Sequence, residues 1–570
     1  MKNRRSSGLI MLKLVKLLNN LWYAMTIAVA TGILGFILSF GISLLAGYSI
    51  LSILPNTKDN LKYIFGGSFS TSTYIYAMIF CGFFRGILHY LEQYCNHYIA
   101  FKILAEIRIK LFKIMRKLAP AKMEEKNHGD LVAMLTADIE LLEVFYAHTI
   151  SPILIAAFTS LILFVYLSHL NIIYAFYMLV SQIFVGLIVP YFAAKRSESS
   201  GLLIRNNLGK LNDEFLDILK GVREIIQFSQ GKKVAKKIDN ITLSLGEQQK
   251  DLRNKMAEVQ MASDSAIILT SIFQLLLSIF LISKNLVNIE ISILAGILQV
   301  GSFAPYINLA NLGNILSQTF AAGERVLNLM EEKPTINDSE EYFKENSKND
   351  IDKYIEIKNL SYGYNKNINI LNNINLSINK GQLIGIMGES GCGKSTLLKL
   401  IMRFWDSDSG DIFINSINIK SISLKDLHKK FNYMTQSTNL FIGTLRDNLL
   451  IAKPNATDDE IYAALKKAAF YDHVLTLPNK LDSIVEESGK NFSGGEKQRI
   501  GLARSFLANR EIFLLDEPTS NLDIHNEAII LKALIEEAKN KTIILVSHRE
   551  STLSICDKIF KMKNGIIYNL

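Results

Sequence analysis

Six apolar runs in the first 312 residues constrain this chain more than any other feature. Hydrocarbon offers no partner to an unpaired backbone N–H or C=O, so a run that crosses it must close its own hydrogen bonds, as a helix does. The runs cover about residues 22–53, 73–91, 149–168, 172–194, 266–282 and 286–312. Each is near the roughly 20 residues that a membrane-spanning helix needs. Arg85 and His89 interrupt the second, and Glu290 the sixth. The chain is 49% hydrophobic yet 20% charged over 570 residues, a mixture unlike a single soluble globule. A membrane part and a soluble part are expected.

The formal net charge of +9 is not distributed like a nucleic-acid footprint, and no nucleic acid is expected as a partner. Lysine and arginine crowd the segments between the apolar runs, where the positive-inside rule puts cytoplasmic loops. Lys2, Arg4, Arg5, Lys13 and Lys16 precede the first run, and residues 98–140 and 195–262 are similarly basic. Six spans with both termini cytoplasmic, in contact with membrane lipid, satisfy this pattern. The basic start followed by so long an apolar run is unlike a cleavable signal peptide. Cys81, Cys95, Cys392 and Cys556 are too scattered for a disulfide framework or a zinc site.

Residues 103–118 and 211–227 keep apolar side chains at helical spacing among charges. They read as membrane helices continued into the cytoplasm, where twenty extra residues reach about 30 Å. Each connection turns near a glycine, Gly129 or Gly221, and presents a short helix to a soluble partner. Arg85, His89, Glu92 and Asn96 fall within an arc of about 60° on the second span, flanked by Gln93 and His97. Such a stripe marks a pathway or a wet cavity, or else an internal Arg85–Glu92 pair that fixes helix packing.

Polar residues 331–350, with Pro334, read as a linker. The domains expected are a membrane domain over 1–335, a linker over 336–353 and an α/β domain over 354–570. In the last of these, an apolar strand, 383–387, runs into Gly388-Glu389-Ser390-Gly391-Cys392-Gly393-Lys394-Ser395-Thr396 and then an apolar helical stretch. Strand, G-x-x-x-x-G-K-[ST] and helix in that order make a phosphate-binding loop. Its backbone N–H groups and helix terminus attract phosphate, Lys394 reaches the β- and γ-phosphates, and the Ser395 hydroxyl serves Mg²⁺. A second strand ends in Asp516 and Glu517, suited to holding Mg²⁺ and to deprotonating an attacking water. Ser493, Gly494 and Gly495 form another glycine-rich turn before a helix. Gln436 and His548 follow further apolar strands, and Tyr364 is available to stack on adenine. The C-terminal residues 558–567 read as a hairpin turning at Asn564-Gly565.

This half resembles the ATP-binding domain of ABC transporters. In order along the chain stand the aromatic-loop Tyr364, the Walker A loop, the Q-loop Gln436, the signature turn, the Walker B carboxylates, the D-loop Ser520-Asn521-Leu522-Asp523 and His548. Glu486-Glu487-Ser488-Gly489 resembles the X-loop of exporters, and the signature departs from the common form in reading FSGGE for LSGGQ. The resemblance implies a multidomain membrane protein with an all-α six-helix transmembrane domain followed by an α/β P-loop ATPase. It also implies ATP and Mg²⁺ as ligands, and a dimer in which ATP lies between Walker A of one copy and the signature turn of the other. A fused half-transporter of type I exporter layout in a bacterial plasma membrane is the expected assembly, as a homodimer or a heterodimer.

In the membrane half, residues 89–97, 100–104 and 118–121, with Gly129-Asp130-Leu131 and Asp138-Ile139-Glu140, resemble the CydC subunits of bacterial CydDC exporters. The family pattern is roughly R-Y-x-E-R-x-x-x-H, and His89 and Gln93 stand here for its two arginines. The resemblance implies export of cysteine or glutathione and makes His97 a candidate haem ligand, with Arg85, His89 and Glu92 as further candidate haem or substrate contacts. Multidrug, lipid or peptide export is the alternative. A regulatory ABC protein that binds ATP without transport is a reading of another class, against which the presence of both Glu517 and His548 speaks.

Overall fold

The computed structural model describes residues 5–18, 21–53, 70–124, 126–189, 192, 211, 214–310, 313–338, 353–364 and 368–570. The chain divides into two compact units, Met1–Lys117 with Lys126–Glu332, and Leu118–Glu125 with Lys333–Leu570.

The first unit is helical. Among the described residues, five helices are long and apolar enough to cross a membrane: Trp22–Ile53, Thr71–Leu118, Gly129–Leu170, Gly231–Ser283 and Ile289–Ile307. The shorter apolar helix Ile172–Ile188 occupies the place of the fourth expected run, whose positions 190–191 and 193–194 lie outside the described residues. The sixth run breaks after Gly301 and resumes at Ala304–Ala310, with 311–312 outside the description. Phe83 and Ile279 are 67% and 65% exposed, as expected of side chains whose solvent is lipid. Polar groups turned inward find each other, as where the Tyr174 hydroxyl lies 3.1 Å from Ser278 Oγ and 2.8 Å from Ser292 Oγ. The helices Thr71–Leu118 and Gly231–Ser283 run far beyond their apolar windows, because apolar residues at helical spacing continue among the charges. An N-terminal helix, Ser7–Lys16, buries Ile10 and Leu14 and is tied down by Lys13 Nζ at 2.6 Å from Glu331.

The second unit contains a four-stranded antiparallel sheet in the order β2-β1-β4-β5. Its strands are β1 (Ile355–Tyr362), β2 (Leu371–Ile378), β4 (Ser409–Ile414) and β5 (Ile417–Asn418). A six-stranded sheet follows the order β12-β11-β3-β10-β9-β6, where β3 is Leu383–Gly388, β6 Phe431–Met434, β9 Ile512–Asp516, β10 Thr542–Ser547, β11 Lys558–Lys563 and β12 Ile566–Asn569. The short strands β7 (Gly443–Thr444) and β8 (Ile484–Val485) pair separately. All neighbours in the six-stranded sheet are parallel except β11 and β12, which turn at Asn564 and Gly565, both with positive φ. Strands β9 and β10 are buried throughout, so both faces are covered and their sequences are unbroken apolar runs rather than alternating ones. In such a sheet the carboxyl ends of the strands face the ligand. Gln436, Glu517 and His548 follow the ends of β6, β9 and β10, and the phosphate loop follows β3.

Candidate functional site

The phosphate loop leaves β3 at Gly388 and enters the helix Lys394–Ile401. Two of its glycines admit no side chain. Gly393 has φ +107, and a Cβ there would lie 2.7 Å from Leu371, while a Cβ on Gly388 would lie 2.5 Å from the Met562 carbonyl oxygen. Lys394 Nζ donates to the carbonyls of Gly388 at 2.7 Å and Glu389 at 2.8 Å. The ammonium is thus folded across the loop, and only 6% of Lys394 is exposed. A cavity of about 500 Å³ opens between residues 388–392 and the hairpin 561–565.

Asp516 ends β9 with 3% of its surface exposed. Burial pushes its carboxyl above the ordinary carboxylate range, and a hydrogen bond from Ser395 only partly opposes that. A buried carboxylate beside a hydroxyl at the mouth of a phosphate loop is the donor set that suits Mg²⁺.

Glu517 comes next and is backbone-strained, at φ +50, a conformation that costs a non-glycine residue roughly 1–2 kcal/mol. Its N–H donates to Val546 O at 2.9 Å, and its carbonyl accepts from Gln498 Nε2 at 2.6 Å. The carboxylate then reaches Gln436 Nε2 at 2.9 Å through one oxygen, and its other oxygen lies 3.2 Å from His548 Nδ1. Lys394, Ser395, Asp516, Glu517, Gln436 and His548 are therefore gathered at the carboxyl ends of four adjacent strands.

The signature turn stands apart. Ser493 caps the helix Gly494–Ala508, its N–H donating to Glu496 Oε2 at 2.7 Å while the Glu496 N–H donates to Ser493 Oγ at 3.3 Å. The glutamate that departs from the common signature thus closes a reciprocal cap, and its other oxygen lies 3.2 Å from His473 Nε2. Among the described residues, no hydrogen bond joins Ser493, Gly494 or Gly495 to the phosphate loop. Tyr364 is 42% exposed. Its ring meets Tyr362 and Trp405 edge-on, at 5.2 and 5.6 Å, and its hydroxyl lies 3.5 Å from Thr396 Oγ1.

Two side chains that shape the site carried no motif. Gln498, 2% exposed, donates to Ser520 Oγ at 3.1 Å besides Glu517 O and accepts from Asn521 N–H at 3.1 Å. Arg549 donates to the carbonyls of Thr519 and Ser520 at 3.2 and 2.8 Å. Together they hold the D-loop. A glutamine on the buried face of a helix was the available signal.

In the membrane unit, Glu92 and Asn96 are 6% and 0% exposed, and both polar atoms of the Asn96 side chain are without a hydrogen-bond partner among the described residues. The partner of Glu92 is His89, at 3.3 Å, not Arg85. Arg85 is two turns away, about 10 Å along the axis, whereas His89 lies one turn away on the same face. His97 Nδ1 lies 3.2 Å from Glu143 Oε1, and its ring neighbours Phe101 and His148 with centroids at 5.9 and 5.3 Å.

Residues 371–520 match the family model described as ABC transporter, and residues 21–302 the one described as ABC transporter transmembrane region. A probable ABC transporter ATP-binding/permease protein of Haemophilus influenzae is 39% identical over 562 residues, 99% of each chain. The glutathione/L-cysteine transport system ATP-binding/permease protein CydC of Escherichia coli is 28% identical over 84% of this chain and 82% of its own. The fold is that of a bacterial Atm1-family ABC exporter solved with ATP bound, with a TM-score of 0.81 over 97% of this chain and 95% of that one at 20% identity. The chain belongs to the ABC transporters, as a membrane protein that fuses a permease region to an ATP-binding domain whose ATPase activity is coupled to transport.

Proposed function

We propose that this chain is one half of a dimeric exporter in a bacterial plasma membrane, with both termini cytoplasmic. Its membrane domain spans 1–335, its linker 336–353 and its ATP-binding domain 354–570. ATP lies between the Lys394 loop of one copy and the Ser493 turn of the second, with the base on Tyr364. The lack of any hydrogen bond between Ser493 and the phosphate loop among the described residues supports a site completed by another chain. Binding closes the two ATP-binding domains and switches the spans from inward to outward access.

The observation that carries the hydrolytic step is the Glu517 carboxylate gripped between Gln436 and His548. Glu517 takes the proton of the attacking water, His548 and Lys394 stabilise charge on the γ-phosphate, and Gln436 orients the water. Ser395, Asp516 and Gln436 would hold Mg²⁺, which, when bound, neutralises charge on the β- and γ-phosphates.

The substrate class we favour is a small thiol, cysteine or glutathione, supported by the likeness to CydC in the membrane half. The stripe Arg85, His89 and Glu92 supplies charges of both signs to a zwitterionic or anionic substrate. The residues also fit a haem. Glu143 engages Nδ1 of His97, so Nε2 is the nitrogen that would hold the iron. Tyr90, Tyr94, Tyr98 and Phe101 form an exposed, largely apolar face of the same helix beside it. Haem would supply a one-electron centre there. The test is ATPase activity of the purified protein with cysteine or glutathione, against phospholipids and dyes. Stimulation by thiols alone is expected, and stimulation by lipid or dye alone overturns the thiol reading. A Soret band lost in His97→Ala tests haem separately.

A further inference from the structure

The ATPase unit includes eight residues from far upstream, Leu118–Glu125, into which the membrane helix Thr71–Leu118 runs directly. Ala121 is 4% exposed and belongs to the same buried cluster as Leu398, Ile401 and Trp405. Three residues on, Glu124 Oε2 lies 2.9 Å from Lys399 Nζ. That ammonium stands 5.0 Å from the centroid of the Trp405 ring, within cation–π range. Trp405 meets Tyr364 edge-on, with centroids 5.6 Å apart and planes at 86°. Trp405 is 5% exposed, and its Nε1 has no hydrogen-bond partner among the described residues. Packing and a cation hold the indole, so it can follow Tyr364 without breaking a hydrogen bond.

We propose that Lys399 and Trp405 are positioning residues that report occupancy of Tyr364 to the Leu118–Glu125 segment through Glu124. The inference rests on the reading of Tyr364 as the base platform. A base stacked on the open face of Tyr364 restricts its ring, and the edge-to-face partner Trp405 must settle with it. The face of Trp405 in turn sets where the Lys399 ammonium is most stable, and Lys399 holds Glu124. The path is short because Lys399 stands on the helix that begins at Lys394, and the Tyr364 hydroxyl approaches Thr396 on that same helix. Base and phosphate thus act on one eight-residue element, whose Lys399 holds Glu124 of the upstream segment. By reciprocity, the segment must also bias binding of the base.

A double-mutant cycle on the full-length protein, read as KM and kcat for ATP, tests this. Side-chain exposure of 24% at Lys399 and 47% at Glu124 puts the pair in the range of surface ion pairs. Glu124→Gln is therefore expected to raise the ATP KM about threefold, with kcat within about twofold. In a Tyr364→Ala background the same change should leave KM where it is. An equal change in both backgrounds, or none in the parent protein, overturns the relay. Tyr364→Ala alone tests the platform: it should weaken ATP but not inorganic tripolyphosphate, and equal losses overturn both readings together. Trp22 and Trp405 are the two tryptophans of the chain, so Trp22→Phe makes Trp405 its one indole fluorophore. ATP should shift that emission and tripolyphosphate should not; an unmoved signal with ATP bound also overturns the relay.

Discussion

Gln436 and His548 hold opposite oxygens of a single carboxylate, that of Glu517, at 2.9 and 3.2 Å. A general base positioned in this way contributes about 100-fold or more. Glu517→Gln should lower ATPase activity by at least about that factor while retaining ATP binding, because glutamine keeps the shape and cannot take the proton. Phosphate release together with a fluorescent-nucleotide titration checks both halves. Normal turnover would remove Glu517 from its role.

Lys394 Nζ donates to two loop carbonyls, and in the proposed ATP site it would turn from them to phosphate oxygens. Lys394→Ala should therefore weaken nucleotide binding itself, by about tenfold or more for a lost charge-assisted contact. An unaltered titration would contradict that.

Asp516 gives a prediction of opposite signs for stability and activity. Burial raises its folded pKa above the unfolded value, so the folded chain holds the proton more tightly. The ionised form then costs stability at neutral pH, and that cost disappears as pH falls through the raised value. Asp516→Asn should raise the thermal midpoint of the nucleotide-free ATPase unit and lower Mg²⁺-dependent turnover. Calorimetry beside an ATPase assay reads the two together. A lowered midpoint would mean that Asp516 is stabilised by more than its bond to Ser395.

Glu496 caps Ser493 but also places a carboxylate at the helix terminus proposed to meet phosphate. Glutamine can make the same cap without the charge. Glu496→Gln should lower the ATP KM by about two- to fivefold, whereas Glu496→Ala should lose about 1 kcal/mol of stability with the cap. A higher KM in the glutamine variant would show that the pair with His473 assists the site.

The motifs were legible because each rests on a local rule. An apolar strand running into glycines and a lysine could be read at Leu383–Gly388 without knowing its neighbours, and Asn564-Gly565 announced its own hairpin. Long-range relations were not legible. Gln498 looks like any helical glutamine until the D-loop is brought against it, and the positive φ of Glu517 follows from strands that meet only in the fold. Periodicity puts Arg85, His89, Glu92 and Asn96 of the second span in one arc, but it cannot say that Glu92 and Asn96 are buried while Arg85 and His89 are exposed, or that Glu92 turns to His89 rather than Arg85. Nor does any local pattern reveal that Glu124 meets a lysine 275 positions later.

Strand β3, which launches the phosphate loop, has β10 on one side and β11 on the other, and Met562 on β11 supplies the carbonyl that crowds Gly388. Both neighbours come well after the loop along the chain. A ribosome that has delivered every membrane helix, and even the lysine loop itself, has not yet delivered the walls that give the loop its shape. The phosphate loop of this transporter therefore takes its shape only after β10 and β11 have followed it along the chain.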